Sequence, residues 1–302
     1  MSHLHPVPST DQLTAIEFFA GIGLARAGMA DAGISTVWAN DYDKNKFAMY
    51  SGQWGDDDFV LENVFDVDPD QVPTADIAWS SSPCTDLSLA GKRDGISGRE
   101  SSAFFGFTNV LRGMGDRRPN VAVLENVVGL ASSHGGDDLR AAIREFNELG
   151  YAVDVVTIDA RRFVPQSRPR LFLIGAKQPL DGGNDDTALR PDSVAWVHQE
   201  DDLRTFKFPF PAIAAPCKDG FSGEIEHLAD DDPRWWDGQR TEAFISSMSP
   251  TQRLRADGFI NARATTARTA YRRTRNGVPT WEMRAEDIAG CLRTCLLYTS
   301  DA

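Results

Sequence analysis

The stretch "TAIEFFAGIGLARAGMADAGISTVWAND", residues 14–41, decides the fold class, because it contains a strand, a turn, a helix and a second strand in succession. The apolar run "TAIEFF" predicts the first strand, and the glycines of "AGIG" predict a tight turn. "LARAGMADAG" has the spacing of a helix, and "STVWAND" predicts the second strand. This order is typical of a parallel sheet covered by helices.

The same alternation continues along the chain to about Gly175. Further strands are predicted by "ADIAWSS" (75–81), "NVAVLEN" (120–126), "YAVDVVTID" (151–159) and "RLFLIGA" (170–176), of which we expect the last two to be neighbours. Helices are predicted by "KNKFAMYSGQW" (44–54), "SSAFFGFTNVLRGM" (101–114) and "DDLRAAIREFNELG" (137–150), the last ending at Gly150. We therefore predict an α/β, Rossmann-like fold. After about Pro179 the regularity stops, and residues 181–240 are rich in Asp, Gly and Pro.

Charge and composition limit the classes of function. The 302 residues carry a net charge of −13, which by itself argues against a nucleic-acid partner. The distribution is uneven, however: residues 240–294 contain 10 Arg and 5 acidic residues, a balance of +5. The four cysteines form neither a disulfide framework nor a CxxC zinc motif. The stretch "MSHLHPVPSTDQL" lacks the basic-then-apolar order of a signal peptide, and no apolar run reaches membrane length. We expect a soluble, intracellular protein that holds no metal.

Polar residues that could bind a ligand follow several of the predicted strands. The glycines of "EFFAGIGLA" would let a ligand approach the backbone, and Asp41 and Tyr42 after the second strand suit ribose hydroxyls and an adenine ring. A plain structural turn and a solvated loop are the simpler alternatives.

Two further groups of residues suit catalysis. Cys84 follows Pro83 among small polar residues, which suits an exposed nucleophilic thiol, although most single cysteines are buried and inert. Glu125 lies near the carboxyl end of the strand "NVAVLEN", where its carboxyl group can act as a general acid. The simpler alternative is an exposed glutamate at the end of a strand. Arg168 and Arg170 alternate before a strand, and each suits an anion, a carboxylate or a surface salt bridge.

Taken in order, these elements resemble the DNA (cytosine-5) methyltransferase family of bacteria and phages. The resemblance covers residues 15–176 and is carried by the Gly-rich turn, "NDYD", Pro-Cys, Glu-Asn-Val and Gln-x-Arg-x-Arg. It implies a Rossmann-like, S-adenosylmethionine-dependent methyltransferase fold. The chain departs from the family at Leu24, where a second glycine is usual, and at Asp41, where Glu is more common. The cofactor-binding positions implied by the resemblance are Phe19, Ala20, Gly21, Ile22, Gly23, Asp41, Tyr42, Asn63 and Pro83.

The resemblance also implies the catalytic residues. Cys84 would add to carbon 6 of a flipped-out cytosine, Glu125 would contact ring nitrogen 3 and the amino group, and Arg168 and Arg170 would steady the site. Asn126 and Gln166 would support these groups without doing chemistry.

The domains and partners follow from the same resemblance. We expect a catalytic and cofactor-binding domain at 1–179, a smaller irregular target-recognition domain at 180–290, and a return segment at 291–302 that is truncated. The expected partner is double-stranded DNA, with a cognate restriction endonuclease acting at the same site, and the protein is expected to be a cytoplasmic, nucleoid-associated monomer. An RNA cytosine-5 methyltransferase, a catalytically impaired nucleic-acid-binding fragment and a generic nucleotide-binding enzyme are the alternatives.

Overall fold

The structure is a computed structural model, and it describes residues 12–83, 103–180, 182–183, 186–262, 266–275 and 277–291. Its residues fall into two compact units. The first unit holds the described residues up to Ile158 together with Arg170–Ala212, and the second holds Asp159–Pro169 and the described residues from Ile213 onward. Within these ranges no helix is long and apolar enough to cross a membrane.

A seven-stranded sheet forms the centre of the first unit. Its strands have the spatial order β3-β2-β1-β4-β5-β7-β6. The pairs β3-β2, β2-β1, β1-β4 and β4-β5 are parallel, whereas β7 is antiparallel to β5. In chain order the strands are β1 (Thr14–Phe18), β2 (Ser35–Asp41), β3 (Phe59–Leu61), β4 (Ile77–Ser80), β5 (Val121–Val127), β6 (Ala152–Asp159) and β7 (Pro169–Ala176).

Helices connect the strands, and local sequence explains where they begin and end. Asp43 precedes the second helix and accepts hydrogen bonds from the backbone N–H groups of Asn45 and Lys46. Gly150 follows the fourth helix with φ of 93°, a left-handed conformation that favours glycine. The helices of this unit are α1 (Leu24–Asp31), α2 (Lys44–Trp54), α3 (Ala103–Gly113), α4 (Asp137–Glu148) and α5 (Asp192–Ala195).

The core of the first unit is built from the sheet and the apolar positions of α3 and α4. The ring of Phe18 on β1 lies 4.9 Å from that of Trp38 on β2 and 5.0 Å from that of Phe107 on α3. Phe146 on α4 is fully buried beside Phe104 and Phe107. These contacts fix the strands whose carboxyl ends carry the candidate site.

Residues 186–210, called here the edge segment, cover the outermost strand β6. The backbone N–H of Val153 donates to the carbonyl of Arg204 (3.0 Å), and the N–H of Phe206 donates to the carbonyl of Val153 (3.1 Å). The segment therefore satisfies backbone groups that an edge strand would otherwise leave open. The predicted boundary near Pro179 differs from this division, because residues 186–212 pack with the first unit.

The second unit contains two helices and a hairpin. Helix α6 (Gly238–Ser246) begins after Asp237, and α7 (Pro250–Ile260) begins after Ser249, and each capping side chain accepts a backbone hydrogen bond. Strands β8 (Ala270–Arg275) and β9 (Val278–Met283) pair antiparallel. The rings of Trp236, Phe244 and Trp281 pack together, with centroids 5.3–6.4 Å apart.

Most of the predicted elements are confirmed, with three differences. The strand β3 is missing from the prediction because it has only three residues. The prediction of a parallel sheet is wrong for β7, which runs antiparallel to β5. The helices α5, α6 and α7 and the β8-β9 hairpin were not predicted.

Candidate functional site

The Gly-rich turn lies at the carboxyl end of β1, between β1 and α1. Every second residue from Phe19 to Gly23 has a positive φ: 57° at Phe19, 58° at Gly21 and 84° at Gly23. The turn is tied to β2 by a hydrogen bond from the N–H of Ala20 to the carbonyl of Asn40 (2.9 Å). A positive φ at a non-glycine residue such as Phe19 is strained, and such residues cluster at ligand sites.

The two glycines of this turn face different surroundings. A Cβ at Gly23 would lie 2.7 Å from Cδ1 of Trp54 and 3.1 Å from Cδ2 of Tyr50, so its missing side chain allows close protein packing. A Cβ at Gly21 would meet only the carbonyl oxygen of Phe19, at 4.0 Å. The space in front of Gly21 is therefore open, which fits a ligand that approaches the backbone there.

Asp41 connects the end of β2 to the Gly-rich turn. Its side chain is 4% exposed, and Oδ2 accepts a hydrogen bond from the N–H of Gly21 (2.9 Å). Oδ1 accepts from the N–H of Asp43 (3.0 Å), and Lys46 lies 3.9 Å from Oδ2. A carboxylate offers about four acceptor positions, so these bonds leave capacity for ribose hydroxyls. That contact stays a prediction, but the carboxylate also has a structural role that the sequence did not reveal.

Tyr42 and Asn63 flank the same strand ends. The Tyr42 side chain is 60% exposed, as a flat face for an adenine requires. Asn63 is exposed after β3, and its Oδ1 accepts from the N–H of Phe65 (3.1 Å). The buried Asn40 amide donates to the carbonyls of Val60 and Glu62, both at 2.9 Å, and so fixes the end of β3. Of the remaining predicted cofactor positions, Ala20 is buried, Phe19 and Ile22 are half-buried, and Pro83 follows β4 and is half-buried.

A buried charged network behind the Gly-rich turn was not predicted. Glu17, the penultimate residue of β1, is 1% exposed, and burial raises its pKa to about 8, although the nearby Arg26 favours the ionised form. Its Oε2 has no hydrogen-bond partner within the described residues. Arg26 donates to Tyr50 Oη (2.6 Å) and to Asp58 (2.9 Å). The sequence feature that could have revealed this network is the single glutamate within the apolar run "TAIEFF".

Glu125 and Arg170 form an ion pair across β5 and β7. The Arg170 Nε lies 2.6 Å from Glu125 Oε1, and the two side chains are 18% and 19% exposed. The antiparallel pairing of β5 with β7 brings these residues together, since Glu125 is opposite Phe172 and Val127 is opposite Arg170. Asn126, 5% exposed, accepts at Oδ1 from the N–H of Val127 (2.8 Å). The structure thus joins two of the predicted catalytic residues.

Gln166 and Arg168 belong to the second unit. Gln166 forms a bridge with Ala289, and the Arg168 N–H donates to Asp159 Oδ1 (2.7 Å). The Arg168 guanidinium contacts Sγ of Cys291 (2.8 Å). The Arg170 guanidinium holds a carboxylate, as the spacing of the two arginines predicted, and the Arg168 guanidinium contacts a thiol. Cys84 lies outside the described residues, which resume at Ala103 after Pro83.

The part of the sequence that forms this site is similar to known proteins. The family model for C-5 cytosine-specific DNA methylase matches residues 13–229. The orphan methyltransferase M.SPRI of Bacillus phage SPR is 29% identical over 217 residues, which cover 68% of this chain and 48% of that protein. The type II methyltransferase M.HhaI of Haemophilus parahaemolyticus is 28% identical over 227 residues, which cover 73% of this chain and 62% of that protein.

A solved structure agrees on the fold. The S. pombe Dnmt2 methyltransferase has a TM-score of 0.54 and 16% sequence identity, and the match covers 78% of this chain and 67% of that one. The chain spans about half the length of the curated relatives it matches. The fold is a Rossmann-like methyltransferase fold, and the family model covers well over half of the chain. This chain belongs to the C-5 cytosine-specific DNA methylase family.

Proposed function

We propose that this chain transfers a methyl group from S-adenosylmethionine to carbon 5 of a cytosine flipped out of a specific duplex DNA sequence, through a covalent bond to Cys84. The observation that carries the proposal is the Glu125 carboxylate, held by Arg170 at the end of β5. β4 lies beside β5 and ends at Ser80, four residues before Cys84. Parallel neighbours end at the same edge of a sheet, which is where open α/β sheets bind ligands.

The residues around the Gly-rich turn fit the proposed cofactor. The open space in front of Gly21, the spare acceptor positions of Asp41 and the exposed ring of Tyr42 suit the backbone, ribose and adenine contacts that S-adenosylmethionine needs. When bound, the cofactor supplies the electrophilic methyl group that carbon 5 accepts.

The chain's own residues supply the remaining chemistry. Carbon 5 of cytosine is a poor nucleophile, and addition of the Cys84 thiolate to carbon 6 converts the ring to an enamine with a nucleophilic carbon 5. Glu125 contacts ring nitrogen 3 and the amino group and stabilises the charge that develops on addition. Arg170 fixes the position of that carboxyl group. A base then removes the proton of carbon 5, the bond from sulfur to carbon 6 breaks, and the thiolate is released.

Duplex DNA is the proposed partner because the target atoms lie inside the stack and must be exposed by base flipping. We assign residues 1–179, together with the edge segment, to catalysis and cofactor binding, and the rest of 180–290 to target recognition. Two relatives are named as a type II and an orphan methyltransferase. The proposed setting is accordingly a restriction-modification system with a cognate endonuclease, or protection of a phage genome, and in either case a cytoplasmic protein on DNA.

Bisulfite sequencing of DNA from cells that express this chain tests the reaction. We expect methylation of cytosine in one short motif, its loss in Cys84→Ala, and its retention in Cys217→Ala. Cys217 is the matched control, because only its backbone N–H makes a short hydrogen bond, to the carbonyl of Arg161 (2.7 Å). Methylation that persists in Cys84→Ala would exclude the covalent route. If DNA stays unmethylated while purified protein methylates tRNA, the substrate is RNA, and intact DNA binding without any methylation indicates an impaired fragment.

Isothermal titration with S-adenosylmethionine tests the cofactor site through Gly21→Ala. The added methyl group projects into open space but strains a residue with φ of 58°, so we expect a loss of about 1 kcal/mol in unfolding free energy. Affinity for the cofactor should fall at least about tenfold, because the new Cβ occupies the ligand's approach to the backbone. Gly33→Ala is the matched control, since Gly33 also has positive φ (77°) and open surroundings but lies in the turn between α1 and β2. Equal affinity losses in both variants would contradict the assignment.

A further inference from the structure

Trp79, the third residue of β4, is hydrogen-bonded to the segment that leads to the predicted nucleophile. Its indole N–H donates to Oγ of Ser81 (2.9 Å). Because β4 ends at Ser80, Ser81 is the first residue beyond the strand, and it precedes Cys84 by three positions in the sequence. The indole group thus holds the chain at the edge of the sheet where open α/β sheets bind ligands.

Ser81 is also held by β1. Its backbone N–H donates to the carbonyl of Phe18 (3.3 Å), the last residue of β1 and the neighbour of the strained Phe19 in the Gly-rich turn. Ser80 and Ser82 are buried, but their hydroxyl groups have no hydrogen-bond partner in the part of the chain that the structure describes. Within these residues, the side chain of Ser81 is therefore the one that ties the three consecutive serines to the sheet.

The ring of Trp79 reaches the strands that carry the Glu125–Arg170 ion pair. Its centroid lies 6.1 Å from that of Phe172 on β7, and the two rings are inclined at 58°. Phe172 is opposite Glu125 in the β5-β7 pair, and Trp79 is opposite Val123 in the β4-β5 pair. Since side chains two residues apart on a strand share a face, Trp79, Phe172 and Glu125 lie on the same face of the sheet.

The place of Trp79 matters because the proposed reaction needs two protein groups at one cytosine ring. The thiolate of Cys84 must approach carbon 6 while Glu125 contacts ring nitrogen 3, and a misplacement of about 1 Å lowers such a rate about a hundredfold. A buried tryptophan usually finds some acceptor for its N–H group. Here the acceptor begins the segment that leads to Cys84, and the ring contacts the residue opposite Glu125.

We infer that Trp79 is a positioning residue of the proposed reaction, which fixes where the segment leading to Cys84 begins relative to Glu125. It acts through its hydrogen bond to Ser81 and its ring contact with Phe172. The inference rests on the proposed function, and it assigns Trp79 no chemistry of its own. Loss of the hydrogen bond should slow methyl transfer without weakening cofactor binding, because the bonds between the Gly-rich turn and β2 remain.

Single-turnover methylation of the duplex motif found by bisulfite sequencing tests this role. Trp79→Phe keeps an aromatic ring beside Phe172 but removes the N–H donor, and Ser81→Ala removes the acceptor. We expect each substitution to lower the rate at saturating DNA and cofactor about tenfold, while the dissociation constants of both change less than about twofold. The double variant should be no slower than either single variant, because both substitutions remove the same hydrogen bond. Ser81→Thr keeps an Oγ acceptor and should restore the rate to within about threefold of the unsubstituted protein.

A matched control and the contrary outcomes separate this inference from the proposed function. Trp196→Phe removes another indole N–H of the same unit, which donates to the carbonyl of Ser193 (3.0 Å), and should leave the rate unchanged. Rate losses that multiply in the double variant, or that Ser81→Thr does not relieve, would show that Trp79 and Ser81 support the fold separately and would overturn the inference. Unchanged rates in both single variants would overturn it while the proposed function stands. If the unsubstituted protein methylates no duplex, the proposed function fails and the inference fails with it.

Discussion

Glu17 shows how a single residue links the core to the candidate cofactor site. The carboxyl group is buried on β1, and Arg26, in the first turn of α1, lies near enough to favour its ionised form. Burial disfavours the charged form more than Arg26 restores it, so the pKa rises from 4.5 to about 8. Glu17 is therefore protonated in the folded protein at neutral pH, two residues before the strained Phe19.

The raised pKa predicts a pH-dependent stability. Between pH 4.5 and about 8 the folded state binds one more proton than the unfolded state at Glu17, so its contribution to stability falls as pH rises. Glu17→Gln lacks this titration. We expect the unfolding free energy of the variant, relative to the unsubstituted protein, to increase by about 2.5 kcal/mol from pH 5 to pH 7 in urea denaturation. Glu148→Gln, an exposed change on α4, should show no such trend, and a pH-independent difference for Glu17→Gln would refute the assignment.

At the scale of elements, sequence periodicity predicted those that have a strong apolar pattern. β1, β2 and α4 have ranges close to their predicted ones, because burial on a strand or a helix face imposes a period on the sequence. The direction of a strand imposes no period on the sequence, so the antiparallel orientation of β7 could not be predicted. This orientation is nevertheless what brings Arg170 to Glu125. Motif order located the strand-end residues, whereas Glu17 and Arg26 were missed because their partners are distant in sequence.

The edge segment was missed for a related reason. Its buried apolar residues are irregularly spaced, and its strongest contact is polar: Arg190, 3% exposed, lies 2.5 Å from Asp154 on β6. Burial alone would raise the pKa of Asp154, but the adjacent His198 ring (Nε2 3.5 Å from Oδ1) and hydrogen bonds from Arg190 and the backbone N–H of Phe208 hold it below its ordinary value. A buried, hydrogen-bonded charge pair thus fixes the segment on the strand. Its buried apolar residues are Leu189, Val194, Val197, Leu203 and Phe206.

Removing one partner of this pair should detach the edge segment. Arg190→Met leaves the Asp154 charge buried without its partner, and we expect a loss of about 3 kcal/mol or more in unfolding free energy, with faster amide hydrogen exchange at β6. Arg144→Met removes an exposed ion pair between α4 and the same segment, to Asp202, and should change neither measurement. Equal effects of the two substitutions would show that burial of the pair is not what secures the segment.

At the scale of the whole molecule, the distribution of charge matters more than its sum. The chain is acidic overall, yet the β8-β9 hairpin presents exposed Arg272 and Arg273 on one strand. Arginines differ in how closely carboxylates hold them: Arg234 donates to Glu226 (2.7 Å) and to Asp232 (2.9 Å), whereas the exposed Arg273 lies 3.7 Å from Glu282. A count of basic residues therefore overstates the charge that can meet phosphates, and the exposed arginines of the hairpin are candidates for such contacts.

Salt dependence of DNA binding distinguishes these two kinds of arginine. Each arginine that contacts a phosphate releases counterions, so log affinity falls with log salt concentration by about 0.9 per contact. We expect the double variant Arg272→Gln, Arg273→Gln to weaken binding to a nonspecific duplex and to reduce the magnitude of that slope by up to about 2, since Arg273 must exchange its contact with Glu282 for a phosphate; the slope is measured by fluorescence anisotropy from 50 to 200 mM salt. Arg234→Gln removes one charge that two carboxylates already satisfy, and should leave the slope unchanged. A slope that responds to Arg234 and not to the hairpin would mean that the phosphates follow another path across the second unit.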